Sequence, residues 1–179
     1  MLAVFTFGRM NPPTVGHEKL VNKVRTVARK ERGQPFIYLS QGQDAKKNPL
    51  MYLDKIKFAQ KAFGSKIVVR SKAKTIIQVM QELEKKYDDV IMVVGSDRVD
   101  SFRELLNKYN GKDYTFDSIT ITSAGERDPD AEGVSGMSAS KMRELAKDGD
   151  EKGFASGLPE TLKSHAKKVY DSVRKGMKL

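Results

Sequence analysis

The sequence predicts an α/β fold built on a doubly wound parallel sheet, and three observations carry that expectation. Short apolar runs alternate with amphipathic helical segments along the chain, the pattern of a parallel sheet covered on both faces. The first seventeen residues read strand, breaker, helix. Leu2 to Phe7 is a short apolar run, Gly8 ends it, and Asn11-Pro12-Pro13 excludes both strand and helix interiors before helical spacing begins at Thr14. Val90 to Val94 is the most hydrophobic run of all, as a strand buried on both faces requires.

The remaining elements follow in order. Val15, Leu20, Val21, Val24, Val27 and Ala28 repeat at helical spacing, and Gly33-Gln34-Pro35 stops that helix. Phe36 to Leu39 reads as the second strand, followed by a polar loop from Ser40 to Asn48 and a helix from about Met51 to Phe63. Gly64-Ser65 turns the chain into an expected third strand, Lys66 to Arg70. Thr75 to Tyr87 is helical with Ile76, Val79, Met80 and Leu83 on one side. After the fourth strand, Val90 to Val94, come a helix from about Val99 to Tyr109 and a fifth strand at Ser118 to Thr122. The glycine-bearing stretch from Ser123 to Met137, with Gly125, Pro129, Gly133 and Gly136, reads as an exposed loop. Ser138 to Lys147 is helical, Gly149 closes it, and Pro159 to about Lys175 forms a last basic helix. The expected strand order is 3-2-1-4-5, in one domain spanning residues 1–179 whose C-terminal helical part covers about 138–179.

With 179 residues the chain is long enough to bury most of its surface around one core. It has no cysteine, so neither a disulfide framework nor a thiolate metal site is available. No apolar run approaches the roughly 18 residues of a membrane helix, and the N-terminus reads as a strand, so a cytosolic chain is expected. The net charge of +10 calls for anionic partners, either nucleic acid or polyphosphate substrates. Its main runs, Lys19 to Arg32 and Lys163 to Lys178, have helical spacing and lack interleaved stacking aromatics, so nucleic acid is the lesser of the two.

Candidate site residues come from three stretches. Thr14 and His17 lie three residues apart at a helix start, where unpaired amides and the macrodipole favour an anion. Gly16 leaves room for a ligand beside the backbone, and Arg9 adds a permanent charge. Gly95-Ser96-Asp97 follows the most buried strand, and in an open parallel sheet ligands sit beyond strand carboxyl ends where the order reverses. In the expected order that reversal lies between strands one and four, so this loop and the Arg9–His17 segment would meet at one crevice. In the third stretch, Gly136 to Arg143, Ser138 can cap a helix, and Ser140 and Arg143 share its face.

Gly8-Arg9-Met10-Asn11-Pro12-Pro13-Thr14-Val15-Gly16-His17 resembles the (H/T)xGH signature of the nucleotidyltransferase superfamily, with Thr14 in the first signature position as in phosphopantetheine adenylyltransferases. Ser138-Ala139-Ser140-Lys141-Met142-Arg143 resembles that superfamily's second signature, which grips the triphosphate. Ser40 to Leu50, Gly149-Asp150 and Gly157 to Glu160 extend the likeness toward archaeal-type nicotinamide mononucleotide adenylyltransferases. Where those enzymes stack nicotinamide on an aromatic residue, this chain reads Ser71 to Ile77, and it contains no Trp.

The resemblance implies a Rossmann-like sheet and in-line attack by an acceptor phosphate on the α-phosphorus of ATP, with release of pyrophosphate. It implies His17 and Thr14 at the α-phosphate, and Arg9, Arg143 and the Ser138 helix start on the β- and γ-phosphates. Phe7, Gly8, Gly16, Gly95, Asp97 and Ser140 would line the nucleotide, with Gly95 and Asp97 on the adenine and ribose side. Lys46 or Lys47 would contact either phosphate group. Mg²⁺ would enter with ATP, with few protein ligands. The acceptor is expected to be a phosphorylated small molecule, nicotinamide mononucleotide first. Cytidylyl transfer from CTP and nucleotide binding without turnover stand as alternatives.

Overall fold

In a computed structural model, residues 1–125 and 137–179 are described; residues 126–136, with Pro129, Gly133 and Gly136 of the expected loop, lie outside the described residues. The strands are β1 (Leu2–Gly8), β2 (Gln34–Leu39), β3 (Asp89–Val94) and β4 (Ser118–Ser123). The helices are α1 (Val15–Glu31), α2 (Tyr52–Phe63), α3 (Ile76–Glu84), α4 (Val99–Lys108), α5 (Ala139–Asp148), α6 (Glu151–Ser156) and α7 (Ala166–Gly176). Among them none is long and apolar enough to cross a membrane.

The four strands form one sheet in the order β2-β1-β3-β4. β1 pairs parallel to β3 with Leu2 opposite Asp89 and Phe5 opposite Met92, and β3 pairs parallel to β4 from Asp89–Ser118 to Val94–Ser123. The sheet therefore turns outward in both directions from the β1/β3 pair, with β2 on the far side of β1. The expected order 3-2-1-4-5 is corrected by the loss of its outermost member. Lys66 to Arg70 forms a turn with a single bridge residue at Val68. Its run of three apolar residues is too short to hold a ladder, and the Val68 backbone is already engaged. The Val68 N–H donates to the Gly64 carbonyl at 3.3 Å, and its own carbonyl accepts from the Gln60 side-chain amide at 3.3 Å.

The chain divides into two compact units. The first comprises Met1–Phe7, Lys19–Tyr38 and Arg70–Arg127 and contains the sheet. Its buried residues are those the apolar runs supply: Ala3, Val4 and Phe5 of β1, Val90, Met92 and Val93 of β3, Val21, Val24 and Ala28 of α1, and Val79, Met80 and Leu83 of α3. Thr6, buried among them, donates its hydroxyl to the Val93 carbonyl at 2.7 Å, so a polar side chain is accommodated without an unpaired atom. Thr75 caps α3 in a reciprocal capping box with Gln78.

The second unit comprises Gly8–Glu18, Leu39–Val69 and Asp128–Leu179. Its core joins Leu50 and Phe58 to Met142, Ala146, Phe154, Leu158, Leu162, Val169, Tyr170 and Val173. α5 is capped by the Ser138 side chain, which accepts the Lys141 N–H, and ends at Gly149 in the left-handed conformation with φ 79°. The single helix expected from Pro159 to Lys175 is two pieces, a 3₁₀ turn over Glu160–His165 and then α7. Tertiary anchors decide the break: the Glu160 N–H donates to Glu18 Oε1 at 3.2 Å and the Thr161 hydroxyl to the Ala62 carbonyl at 2.8 Å. α6 carries only one buried side chain, Phe154, and has no apolar period long enough to read from sequence.

Candidate functional site

The site is built within the second unit, from the loops that leave β1 and β2. The Gly8 carbonyl accepts the Ser40 N–H at 2.9 Å, so both loops start side by side. Met10 takes a left-handed backbone with φ 41° and is buried, an uncommon conformation for a side chain of its size. Asn11 is fully buried, and its Oδ1 accepts the Leu50 N–H at 2.9 Å, pinning the first loop to the segment ahead of α2.

Thr14 immediately precedes α1 rather than lying inside its first turn. Its side chain is 1 % exposed. The Thr14 N–H donates to His17 Nδ1 at 2.9 Å, and the Thr14 hydroxyl donates to the Met137 carbonyl at 3.0 Å. The Val15 N–H donates to the Gly157 carbonyl at 2.8 Å. Two amides of the helix start are thus spent inside the protein and are not available to an anion. Gly16 has a different role from the one its position suggested. A Cβ there would sit 2.8 Å from the Met137 carbonyl oxygen, so what approaches the backbone is the chain's own main chain.

Arg143, on α5, is half-buried and donates from its guanidinium to the Asn11 carbonyl at 3.0 Å, which brings the second signature against the first loop. Burial, and then the neighbouring Arg9, pulls its pKa down from the ordinary value, with Asp44 opposing. Lys55 of α2 is 0 % exposed, and its ammonium lies 3.4 Å from Ser40 Oγ. Among the described residues no carboxylate forms an ion pair with it. Burial, and then Arg9, lowers its pKa from 10.5 to about 8. Asp44 is held below the usual carboxylate range by the Asn48 side-chain amide, with the Lys47, Lys46 and Asn48 amides adding to it.

Arg9 therefore acts on both Lys55 and Arg143 within this unit, and Asp44 opposes it at Arg143. A buried ammonium without a carboxylate is costly, and an anion is the group that relieves it. The other expected residues are placed as follows. Lys46 and Lys47 are exposed in the loop that Asp44 organises, and Ser140 is exposed on α5. Phe7, Gly95 and Asp97 belong to the first unit, with Asp97 exposed in a 3₁₀ turn at Ser96–Arg98. Lys55, Asn11 and the Met137 carbonyl were not singled out from the sequence. For Lys55 the signal existed: it occupies the apolar stripe of α2 with Ile56, Phe58, Ala59 and Phe63, where a lysine is out of place.

No family model matches the chain, and no curated protein matches it. Among solved structures the chain is similar to Thermotoga maritima TmcAL, whose crystal structure holds alpha-thio ATP. The TM-score is 0.54 at 10 % identity, over 99 % of this chain and 56 % of TmcAL. The two share a fold. The chain thus spans little more than half the length of that protein, and the likeness extends to architecture and no further.

Proposed function

We propose that this chain is a nucleotidyltransferase that moves the AMP of ATP onto the phosphate of a small-molecule acceptor and releases pyrophosphate. The observation that carries the reading is Lys55, a fully buried ammonium with no ion-paired carboxylate among the described residues, in the unit that also holds Arg9, Arg143 and His17. Arg9 repels both Lys55 and Arg143, and a phosphate bound beside them would relieve that repulsion. Support at the level of architecture comes from TmcAL, which binds an ATP analogue.

In the proposed reaction the acceptor phosphate oxygen attacks the α-phosphorus in line and the bond to the bridging oxygen of pyrophosphate breaks. No protein nucleophile is required, so the chain contributes positioning and stabilisation of developing charge. Arg143, Lys55 and Arg9 hold phosphate oxygens, and the imidazole of His17 donates to the α-phosphate. Mg²⁺ with the triphosphate would neutralise part of its charge. The donor set fits a metal carried mainly by phosphate oxygens, since both carboxylate oxygens of Asp44 already accept hydrogen bonds from the chain. Nicotinamide mononucleotide is the first acceptor to try.

The test begins with ATP and Mg²⁺ in a thermal melt. A ligand that binds only the folded state at about 100-fold over its dissociation constant stabilises it by roughly 2.7 kcal/mol. Pyrophosphate release is then measured with ATP and CTP against a panel of phosphomonoesters. No shift with either triphosphate at millimolar concentration would remove the nucleotide reading. Binding without release would leave a nucleotide-binding protein in place of an enzyme.

Arg143→Ala separates ligand contact from packing. The Asn11 carbonyl loses its charged donor, so the unligated protein is expected to lose about 1–2 kcal/mol of stability. Loss of charge-assisted phosphate contacts, worth about 1.5–3 kcal/mol, weakens ATP binding by about one to two orders of magnitude. Calorimetric titration alongside a melt reads both, and unchanged affinity removes Arg143 from the phosphate site.

A further inference from the structure

Thr14 is buried, and every polar atom it has is directed. Its N–H donates to His17 Nδ1 at 2.9 Å, its carbonyl accepts the His17 N–H at 3.0 Å, and its hydroxyl donates to the Met137 carbonyl at 3.0 Å. Thr14 Oγ1 also lies 3.3 Å from His17 Nδ1, but its one proton is already given to the Met137 carbonyl. An imidazole nitrogen that accepts a backbone N–H carries no proton of its own. A neutral ring must then hold its proton on Nε2. Met137 precedes Ser138, the cap of the helix that carries Arg143, so the hydroxyl ties Thr14, and with it the amide that holds the imidazole, to that helix start. Gly16 makes this approach possible, since any Cβ would collide with the same Met137 carbonyl.

We propose that Thr14 is a positioning residue: it fixes His17 as the neutral tautomer protonated on Nε2 and locks that imidazole against the start of α5 through the Met137 carbonyl. The hydroxyl of Thr14 is then no phosphate ligand; it acts through His17. The catalytic consequence rests on the nucleotidyl-transfer reading, because an Nε2–H donor stabilises a phosphate oxygen whereas an unprotonated Nε2 would act as a base. The positioning itself does not depend on that reading.

The experiment is nitrogen NMR on the full chain labelled with ¹⁵N, in which only His17 and His165 contribute imidazole signals. His165→Gln assigns them. A scalar coupling across the hydrogen bond between the Thr14 amide nitrogen and His17 Nδ1 is expected, together with a proton on Nε2. Thr14→Ser keeps both signatures. Thr14→Val keeps the shape and the backbone N–H but loses the bond to the Met137 carbonyl that holds this amide toward Nδ1, so the coupling weakens and turnover per folded molecule falls about two- to tenfold. A wild-type ring protonated on Nδ1, or a Thr14→Val protein with full coupling, overturns the proposal. Should Thr14→Val fail to fold, Thr14→Ala, which also lacks the hydroxyl, gives the same reading: a weakened coupling supports the proposal and a full one overturns it. If the couplings are as expected while no triphosphate is turned over, the positioning stands and the enzymatic reading is the one that fails.

Discussion

Lys55→Met raises the stability of the unligated protein and removes its response to triphosphate. Lys55 is 0 % exposed, and burial lowers its pKa from 10.5 to about 8. Between those values the unfolded chain binds more protons at this site than the folded one, so the contribution of Lys55 to stability rises with pH across that window. Below about pH 8 the folded protein bears the full cost of the buried charge, on the order of 3 kcal/mol. Methionine has nearly the same length and no charge to desolvate, and at pH 7 it is expected to recover about 2–3 kcal/mol. For a chain of this size that moves Tm by roughly 2–4 °C per kcal/mol. The stability difference between the two proteins shrinks as pH climbs from 8 to 10.5. ATP with Mg²⁺ is expected to stabilise the wild type and to do so much less in the variant, a trade of function against stability. Melts across pH, with and without ligand, test every part of this. A destabilised Lys55→Met protein that keeps the full ligand shift would show that the ammonium only fills space.

His17→Ala separates catalysis from binding. Its imidazole is anchored through Nδ1 to the Thr14 amide, and in the proposed reaction it would stabilise charge that grows at the α-phosphate. Removal of one such donor costs about 10²–10³ in turnover, or roughly 2.7–4 kcal/mol. Ground-state ATP affinity falls far less, because Arg9, Lys55 and Arg143 remain. The unligated fold is expected to lose about 1 kcal/mol, since the Thr14 N–H loses its acceptor. Turnover is measured per folded molecule beside the melt, and a folded His17→Ala protein with full activity would sink the mechanism.

The residues behind these two effects differ in how far the sequence reveals them. His17, Arg9 and Arg143 could be singled out from the sequence because each lies near a strand-to-helix break or a capped helix start, features set by neighbours in the chain. Lys55 stands in an apolar stripe, and only the folded chain shows that its ammonium is buried there. Thr14 was legible as a residue of the helix start but not in its role. Its hydroxyl meets a carbonyl 123 residues away, a partner that no local pattern encodes.

The sequence by itself determined the alternation of strands and helices, the breaker at Asn11-Pro12-Pro13, the Ser138 cap, the Gly149 stop and the placement of Val90 to Val94 as a buried strand. Each follows from side-chain periodicity or from the backbone limits of single residues, which act within a few positions. The tertiary structure decided what depends on partners far along the chain. It reduced the expected third strand to a single bridge residue at Val68, whose backbone groups are engaged by Gly64 and Gln60. It divided the last helix through anchors to Glu18 and Ala62. It also gathered Arg9, Lys55 and Arg143 within one unit, because Asn11 clasps Leu50 on one side and receives Arg143 on the other. Hydrogen bonds between segments tens of residues apart carry no periodic trace in the sequence, so only the folded chain reveals them.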